Sequence, residues 1–397
     1  MAYSEQEARE LIVKAGRRLK QEGLIARTWG NLSARISDDQ FVITPSGLDY
    51  DIMGPGDLVT VSISDCSYEG KRKPSSEKGI HADAYKLHRE ICFVIHTHQE
   101  KASVFGVLGE NLEMDGSVSV LGSRIPCAEY GLPSTKRLRQ AVAEKMLQEP
   151  EALAVLLKNH GALCMGKDYA QAFLIARELE RACDRKVRQI LERGSIDWEC
   201  VSEPLKLGKS QRRGNRFCHL LDGERRIYDL RTHLSELPLE AAIHSAIYRG
   251  SSVSYIAQET GTSVLEICRG EEPLPAYLDD LAQIAGVNIR FSGASPEKVA
   301  KALKGRNAVL IRGRGALCTG RTADDVEAVR LLLRKGCEAA LVAKAWNERL
   351  IEEHAVKRGE ETDETFCRRR LCQPLGETDA RLQRFIYQKK YSRKKDS

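Results

Sequence analysis

An α/β fold laid out twice along one chain is what this sequence predicts, and three observations carry that prediction. Short apolar or β-branched runs alternate with longer amphipathic stretches, the pattern of layered sheet and helix. A helix-forming segment, Pro74-Ser75-Ser76-Glu77-Lys78-Gly79-Ile80-His81 through Tyr85, recurs as Leu237-Pro238-Leu239-Glu240-Ala241-Ala242-Ile243-His244 through Tyr248. Farther on, Gly161-Ala162-Leu163-Cys164-Met165-Gly166 recurs as Gly315-Ala316-Leu317-Cys318-Thr319-Gly320, each followed 17 residues later by a cysteine, Cys183 and Cys337. Two matches in the same order mark a tandem repeat. A length of 397 residues accommodates it.

The elements follow in chain order. Residues 4–21 read as an amphipathic helix, with Ser4 and Glu7 in a capping-box spacing and Gly23 beyond its end. Segments 32–36, 40–44 and 58–63 are strand candidates, bounded by Asp, Gly and Pro. A helix from Glu77 to about His88 leads to the apolar strand candidate 92–98. Ser134 is placed to cap a helix reaching about Gln148, after which 152–158 reads as a buried strand and 169–193 as a long helix. The polar, basic stretch 206–216 reads as a linker, giving domains 1–205 and 206–397.

The two copies differ where chemistry would reside. Extending the alignment from Glu77 and Glu240 sets His96 opposite Tyr255 and His98 opposite Ala257, and the glycine motif sets His160 opposite Arg314. All three histidines are therefore missing from the second copy. Segments Gly30-Asn31 and Ser46-Gly47 have no clear counterpart there, and Ser75 and Ser76 become Pro238 and Leu239.

His96 and His98 stand two apart on a strand and so project from one face, as two ligands of one ion must. With His160 they make three imidazoles that leave a coordination position open, the arrangement of catalytic zinc. The second copy is an internal control, since a similar fold does without histidine at these positions. His81 and His244 occur in both copies and read as structural. Glu77, at the start of its helix, suits metal ligation or proton transfer, and acid/base work is the favoured role. Helix N-terminal amides with the Ser75 and Ser76 hydroxyls form an anion site, on which backbone N–H groups of Gly30-Asn31 and Ser46-Gly47 would converge.

Composition excludes several classes. The 62 basic and 56 acidic residues nearly balance, for a net charge of +6, and the tail from Lys389 to Lys395 reads as a solvated end, not a nucleic-acid patch. The N-terminus lacks the features of a signal peptide, and there is no membrane-spanning apolar run, so a cytoplasmic protein is expected. Twelve scattered cysteines without Cys-x-x-Cys spacing read as reduced, buried small hydrophobes.

These motifs as an ordered set resemble the class II aldolase/adducin family: Gly30-Asn31-Leu32-Ser33-Ala34-Arg35, Ile43-Thr44-Pro45-Ser46-Gly47, Pro74-Ser75-Ser76-Glu77 with His81, Val94-Ile95-His96-Thr97-His98, and Asn159-His160-Gly161. The resemblance spans residues 1 to about 195 and implies a three-layer α/β/α domain around a mixed sheet. It implies Zn2+, or Mn2+, Co2+ or Fe2+, on His96, His98 and His160, with Glu77 as acid/base. Gly30, Asn31, Ser46, Gly47, Ser75 and Ser76 would hold the phosphate of a small phosphorylated sugar. The implied reaction is cleavage of a ketose phosphate through a metal-stabilised enediolate. Epimerisation, dehydration or decarboxylation on the same platform, or an adducin-like scaffold, are the alternatives. The sequence departs from fuculose-phosphate aldolases at two aromatic positions, which here are Asp115 and Pro133. Asp115 thereby becomes a candidate second acid/base. Family enzymes form rings of subunits, so a homo-oligomer is expected, with the second copy in an architectural role.

Overall fold

The computed structural model describes residues 2–25, 29–114, 120–194, 205–358 and 371–392. Asp115, and the basic tail's side chains from residue 389 on, lie outside the described residues and side chains. The chain divides into two compact units, Met1–Ile190 and Leu191–Ser397.

Unit 1 runs α1 (Glu5–Gln21), β1 (Asn31–Arg35), β2 (Gln40–Ile43), β3 (Val59–Ser62), α2 (Lys78–Leu87), β4 (Phe93–Thr97), α3 (Glu100–Gly106), β5 (Leu112–Glu113), β6 (Arg124–Ile125), β7 (Cys127–Ala128), α4 (Lys136–Gln148), β8 (Ala154–Leu157), β9 (Gly161–Gly166) and α5 (Tyr169–Arg193). Seven strands form one mixed sheet in the order β3-β2-β1-β4-β9-β8-β7, antiparallel except for the β7–β8 pair. Helices α2 and α4 bury Ile80, Tyr85, Leu138, Val142 and Met146 against Phe41, Val61, Val94, Val155 and Leu163 of the sheet. The helix α1 packs on β1 and β2, with Ile12 and Leu19 fully buried. Its cap is as the sequence predicts, Ser4 accepting from the Glu7 N–H.

Unit 2 runs β10 (Lys209–Arg213), β11 (Arg216–Leu221), β12 (Glu224–Asp229), α6 (Leu239–Arg249), β13 (Tyr255–Glu259), α7 (Thr262–Ile267), β14 (Leu274–Pro275), α8 (Asp279–Ala285), β15 (Asn288–Ile289), β16 (Phe291–Ser292), α9 (Pro296–Leu303), β17 (Ala308–Ile311), β18 (Gly315–Gly320), α10 (Ala323–Arg358) and a C-terminal helix, Glu377–Ser392. Its seven-stranded sheet, β12-β11-β10-β13-β18-β17-β16, repeats the order of the first, again with one parallel pair at the β16–β17 edge. The α/β fold is thus present twice.

Three expectations are corrected. Residues 209–213, read as part of a linker, form a strand paired on both sides, with β11 and β13. Leu32 and Ala34, fully buried in unit 1, correspond to exposed Lys209 and half-buried Gln211. A strand with a wet face carries polar residues, and these hid it. Second, Thr135 rather than Ser134 caps α4, accepting from the Leu138 N–H, while Ser134 takes a left-handed backbone at φ 67°. Third, strand pairing shifts the alignment of the copies. Ser33 pairs with Val94 as Ser210 pairs with Ile256, so His96 corresponds to Gln258 and His98 to Thr260, not to Tyr255 and Ala257. His160 does correspond to Arg314.

Candidate metal centre and active site

His96 lies in β4, which pairs with β1 and β9 at the middle of the sheet, and His98 follows one residue past the strand's end. His160 stands in the turn from β8 to β9. That turn depends on Asn159 at φ 60° and on Gly161, where an added Cβ would sit 2.2 Å from the Thr97 carbonyl oxygen. Gly315 of unit 2 meets the same constraint, 2.3 Å from the Glu259 oxygen. The recurring glycine motif is thus a close crossing of two strands, and only glycine fits it.

The ligand atoms of His96, His98 and His160 all lie within 4.8 Å of one another. His96 Nδ1 donates to the Ala162 carbonyl at 2.9 Å, which turns Nε2 toward the cluster. There it stands 3.1 Å from His160 Nε2. Tetrahedral zinc with nitrogens at about 2.0–2.1 Å separates its ligands by about 3.3 Å, so the donor set fits a divalent cation. Burial drives His96 down to about 3, keeping the imidazole neutral as a ligand must be.

Glu77 precedes the first residue of α2, and its carboxylate turns from the helix to the histidines. Oε2 is 3.3 Å from His96 Nε2 and Oε1 is 3.3 Å from His160 Nε2. Burial by itself would raise Glu77, but the positive charge that His96 and His160 take up in acid, with a His160 hydrogen bond, outweighs it and holds the carboxyl well below the ordinary range.

A directed chain of hydrogen bonds holds this carboxylate. Asn31 Nδ2 donates to Glu77 Oε2 at 3.0 Å, which leaves Asn31 Oδ1 to accept from His81 Nε2. His81 Nδ1 therefore accepts from Ser33 Oγ at 2.6 Å, and Ser33 in turn bonds the Tyr85 hydroxyl at 2.7 Å. Unit 2 keeps the distal half, with Ser210 bonded to His244 Nδ1 and Tyr248, each at 2.7 Å. It ends at a buried His244 Nε2 without a partner, because Gly208 stands where Asn31 would. Ser33 and Tyr85 were missed in the sequence. Their recurrence beside each histidine was the available signal.

The other predicted residues divide. Pro45 and Pro74 form an isolated bridge; the Ser46 N–H donates to the Lys73 carbonyl and the Ser75 N–H to that of Thr44, so the two serine segments run side by side. Ser75 Oγ accepts from the Glu77 N–H at 3.3 Å, and Ser76 bonds Ser134 at 2.7 Å. Gly30 packs its backbone on His96, where a Cβ would lie 2.6 Å from the carbonyl oxygen. Gly47 is half-buried.

Residues 10–187 match the model of the class II aldolase and adducin N-terminal domain. A 5-deoxy-D-ribulose 1-phosphate aldolase of Bacillus thuringiensis serovar kurstaki is 35% identical over 177 residues, 44% of this chain and 82% of that protein. The chain belongs to the class II aldolase and adducin family. A methylthioribulose-1-phosphate dehydratase of Pseudomonas fluorescens is 27% identical over 207 residues, 49% of this chain and 99% of that protein. Among solved structures, an L-fuculose 1-phosphate aldolase is 31% identical, with a TM-score of 0.44, over 47% of this chain and 88% of that one. The class II aldolases are enzymes that depend on a divalent metal, and this chain carries a triad of histidines able to hold one. Among the described residues no helix is long and apolar enough to cross a membrane.

Proposed function

We propose that unit 1 cleaves a small ketose 1-phosphate, with a divalent cation, zinc first among the candidates, held by His96, His98 and His160. One observation carries the reading. Three imidazoles converge under a carboxylate that an Asn31–His81 chain holds in place. Relatives whose names specify substituted ribulose 1-phosphates support a substrate of that class.

A bound cation would supply Lewis-acid polarisation of the substrate's oxygens, worth several kcal/mol of developing negative charge. In retro-aldol cleavage the C4 hydroxyl loses a proton as the C3–C4 bond breaks, and the three-carbon fragment gains one at C3. Glu77 is the group assigned to the proton at C3, and Asp115 is a candidate for the one at the C4 hydroxyl. The Ser46-Gly47 and Ser75-Ser76 segments, with Gly30-Asn31, are assigned to the phosphate. The dehydratase relative, matched along nearly its whole length, favours water loss as the second reading.

Metal analysis combined with product analysis on 5-deoxyribulose 1-phosphate and methylthioribulose 1-phosphate tests both. Release of dihydroxyacetone phosphate supports the aldolase, and loss of water with the carbon chain intact supports the dehydratase. Turnover by metal-free protein would refute both. The same reading gives residues 206–397 an architectural role, with two chains forming a four-domain cytoplasmic assembly. Sedimentation as a monomer would remove that part alone.

A further inference from the structure

Unit 2 contains a pocket of about 170 Å³ at the C-terminal end of α9. Its walls include Ser251, Lys304, Gly305, Arg306, Thr319 and Arg384, so three cations line it and no carboxylate does. Among the described residues the guanidiniums of Arg306 and Arg384 donate only to neutral acceptors. Arg306 donates to the Asn288 carbonyl at 2.8 Å and to Asn288 Oδ1 at 3.2 Å. Arg384 donates to the Gln283 carbonyl and Asn307 Oδ1, each at 2.8 Å, and to the Gly305 carbonyl at 2.9 Å. By contrast Arg139 and Arg330, also partly buried, each face a carboxylate, Asp83 and Glu259.

Two further observations point the same way. Arg384 Nε is buried and has no hydrogen-bond partner. Burial pushes Arg384 down to about 10, partly opposed by Tyr387 and reinforced by the neighbouring Arg306, and burial together with Arg290 lowers Arg306 as well. Half-buried like charges are costly unless an anion joins them, and guanidinium bonds to phosphate oxygens are among the strongest available. Carbonyl dipoles orient these cations without neutralising them. The fold does not demand Lys304 or Arg306, since the corresponding loop of unit 1 is Pro150-Glu151-Ala152. The pocket is smaller than the roughly 300 Å³ at which drug-sized ligand sites begin, so it suits a small anionic head.

We propose that this pocket binds a phosphate-type oxyanion, either free or at the end of a small monoester. The pocket shares no residue with the metal centre, and its test does not depend on catalysis. Equilibrium dialysis of the full chain with labelled inorganic phosphate, and in parallel with glycerol 3-phosphate, is run against chloride at fixed ionic strength. Beside any binding at the unit 1 phosphate segments, which Arg306→Gln leaves unchanged, the expected result is a second saturable class of sites that weakens by roughly tenfold or more in that variant. Arg306→Lys, which keeps the charge, is expected to retain most of it. Circular dichroism of the variants verifies the fold, and Lys304→Gln, at an exposed position, gives a second reading with a smaller expected loss. The tighter of the two probes identifies the source. Equal stoichiometry and affinity in wild type and Arg306→Gln, or no preference over chloride for either probe, would overturn the proposal.

Discussion

Glu77 takes its working geometry from neighbours outside its own helix. Asn31 and the two imidazoles orient the carboxylate, so removing its charge should spare the metal site. Glu77→Gln is expected to keep about one metal per chain while losing about 10²–10⁴ in kcat, the range for a positioned acid/base. Coupled loss of metal in that variant would instead make Glu77 a ligand. His160→Ala should show the opposite pattern, with metal content falling toward zero.

His81 makes a prediction of its own. Burial holds it at about 4 in the folded protein against an ordinary 6.5. Between those values the unfolded chain binds a proton that the folded chain refuses, so acid favours unfolding. Its contribution is fully present above pH 6.5 and is lost as pH falls toward 4, by about 3 kcal/mol at most. Urea midpoints measured from pH 7 to 4.5 should fall, and less steeply in a folded His81→Gln variant.

At the scale of elements, the turn between β8 and β9 is the fragile part. Gly161→Ala would push a methyl to 2.2 Å from the Thr97 oxygen, forcing β4 and β9 apart just where they carry the histidines. We expect a loss of about 1–3 kcal/mol in chemical denaturation together with weakened metal binding. A variant of wild-type stability and metal content would show that the strands can yield. The same crossing explains why the glycine motif was legible twice in the sequence, since its cause is backbone approach. The strand β10 was not legible, because Lys209 and Arg213 face water. The short strands β5 to β7 and helix α3 carried no periodic signal to read.

For the whole molecule, unit 2 shows what the fold requires. It builds the same strand order with Gln258, Thr260 and Arg314 in place of the triad, and Gln258 ties backbone groups together by accepting from the Leu207 N–H at 2.6 Å and donating to the Arg314 carbonyl at 2.7 Å. Metal is therefore expected to be dispensable for the folding of unit 1. Chelation should abolish turnover while leaving far-ultraviolet circular dichroism unchanged, and re-addition of Zn2+, Mn2+, Co2+ or Fe2+ one at a time should identify the productive ion. Unfolding on chelation would contradict this account.

Sequence by itself determined the α/β class and the doubling of the fold, and singled out the three histidines and Glu77 that the structure brings together, because periodicity, repeated motifs and side-chain chemistry are local properties. Register was beyond it, and the pairing of copies slipped by three residues at His96 and His98. Only the tertiary structure decided that His81, first read as structural, reaches Glu77 through Asn31, and that Ser33 and Tyr85 orient it. Asn31 and Ser33 come from β1 and His81 and Tyr85 from α2, about 50 positions apart, and hydrogen bonds between them exist only once the sheet and helix have packed.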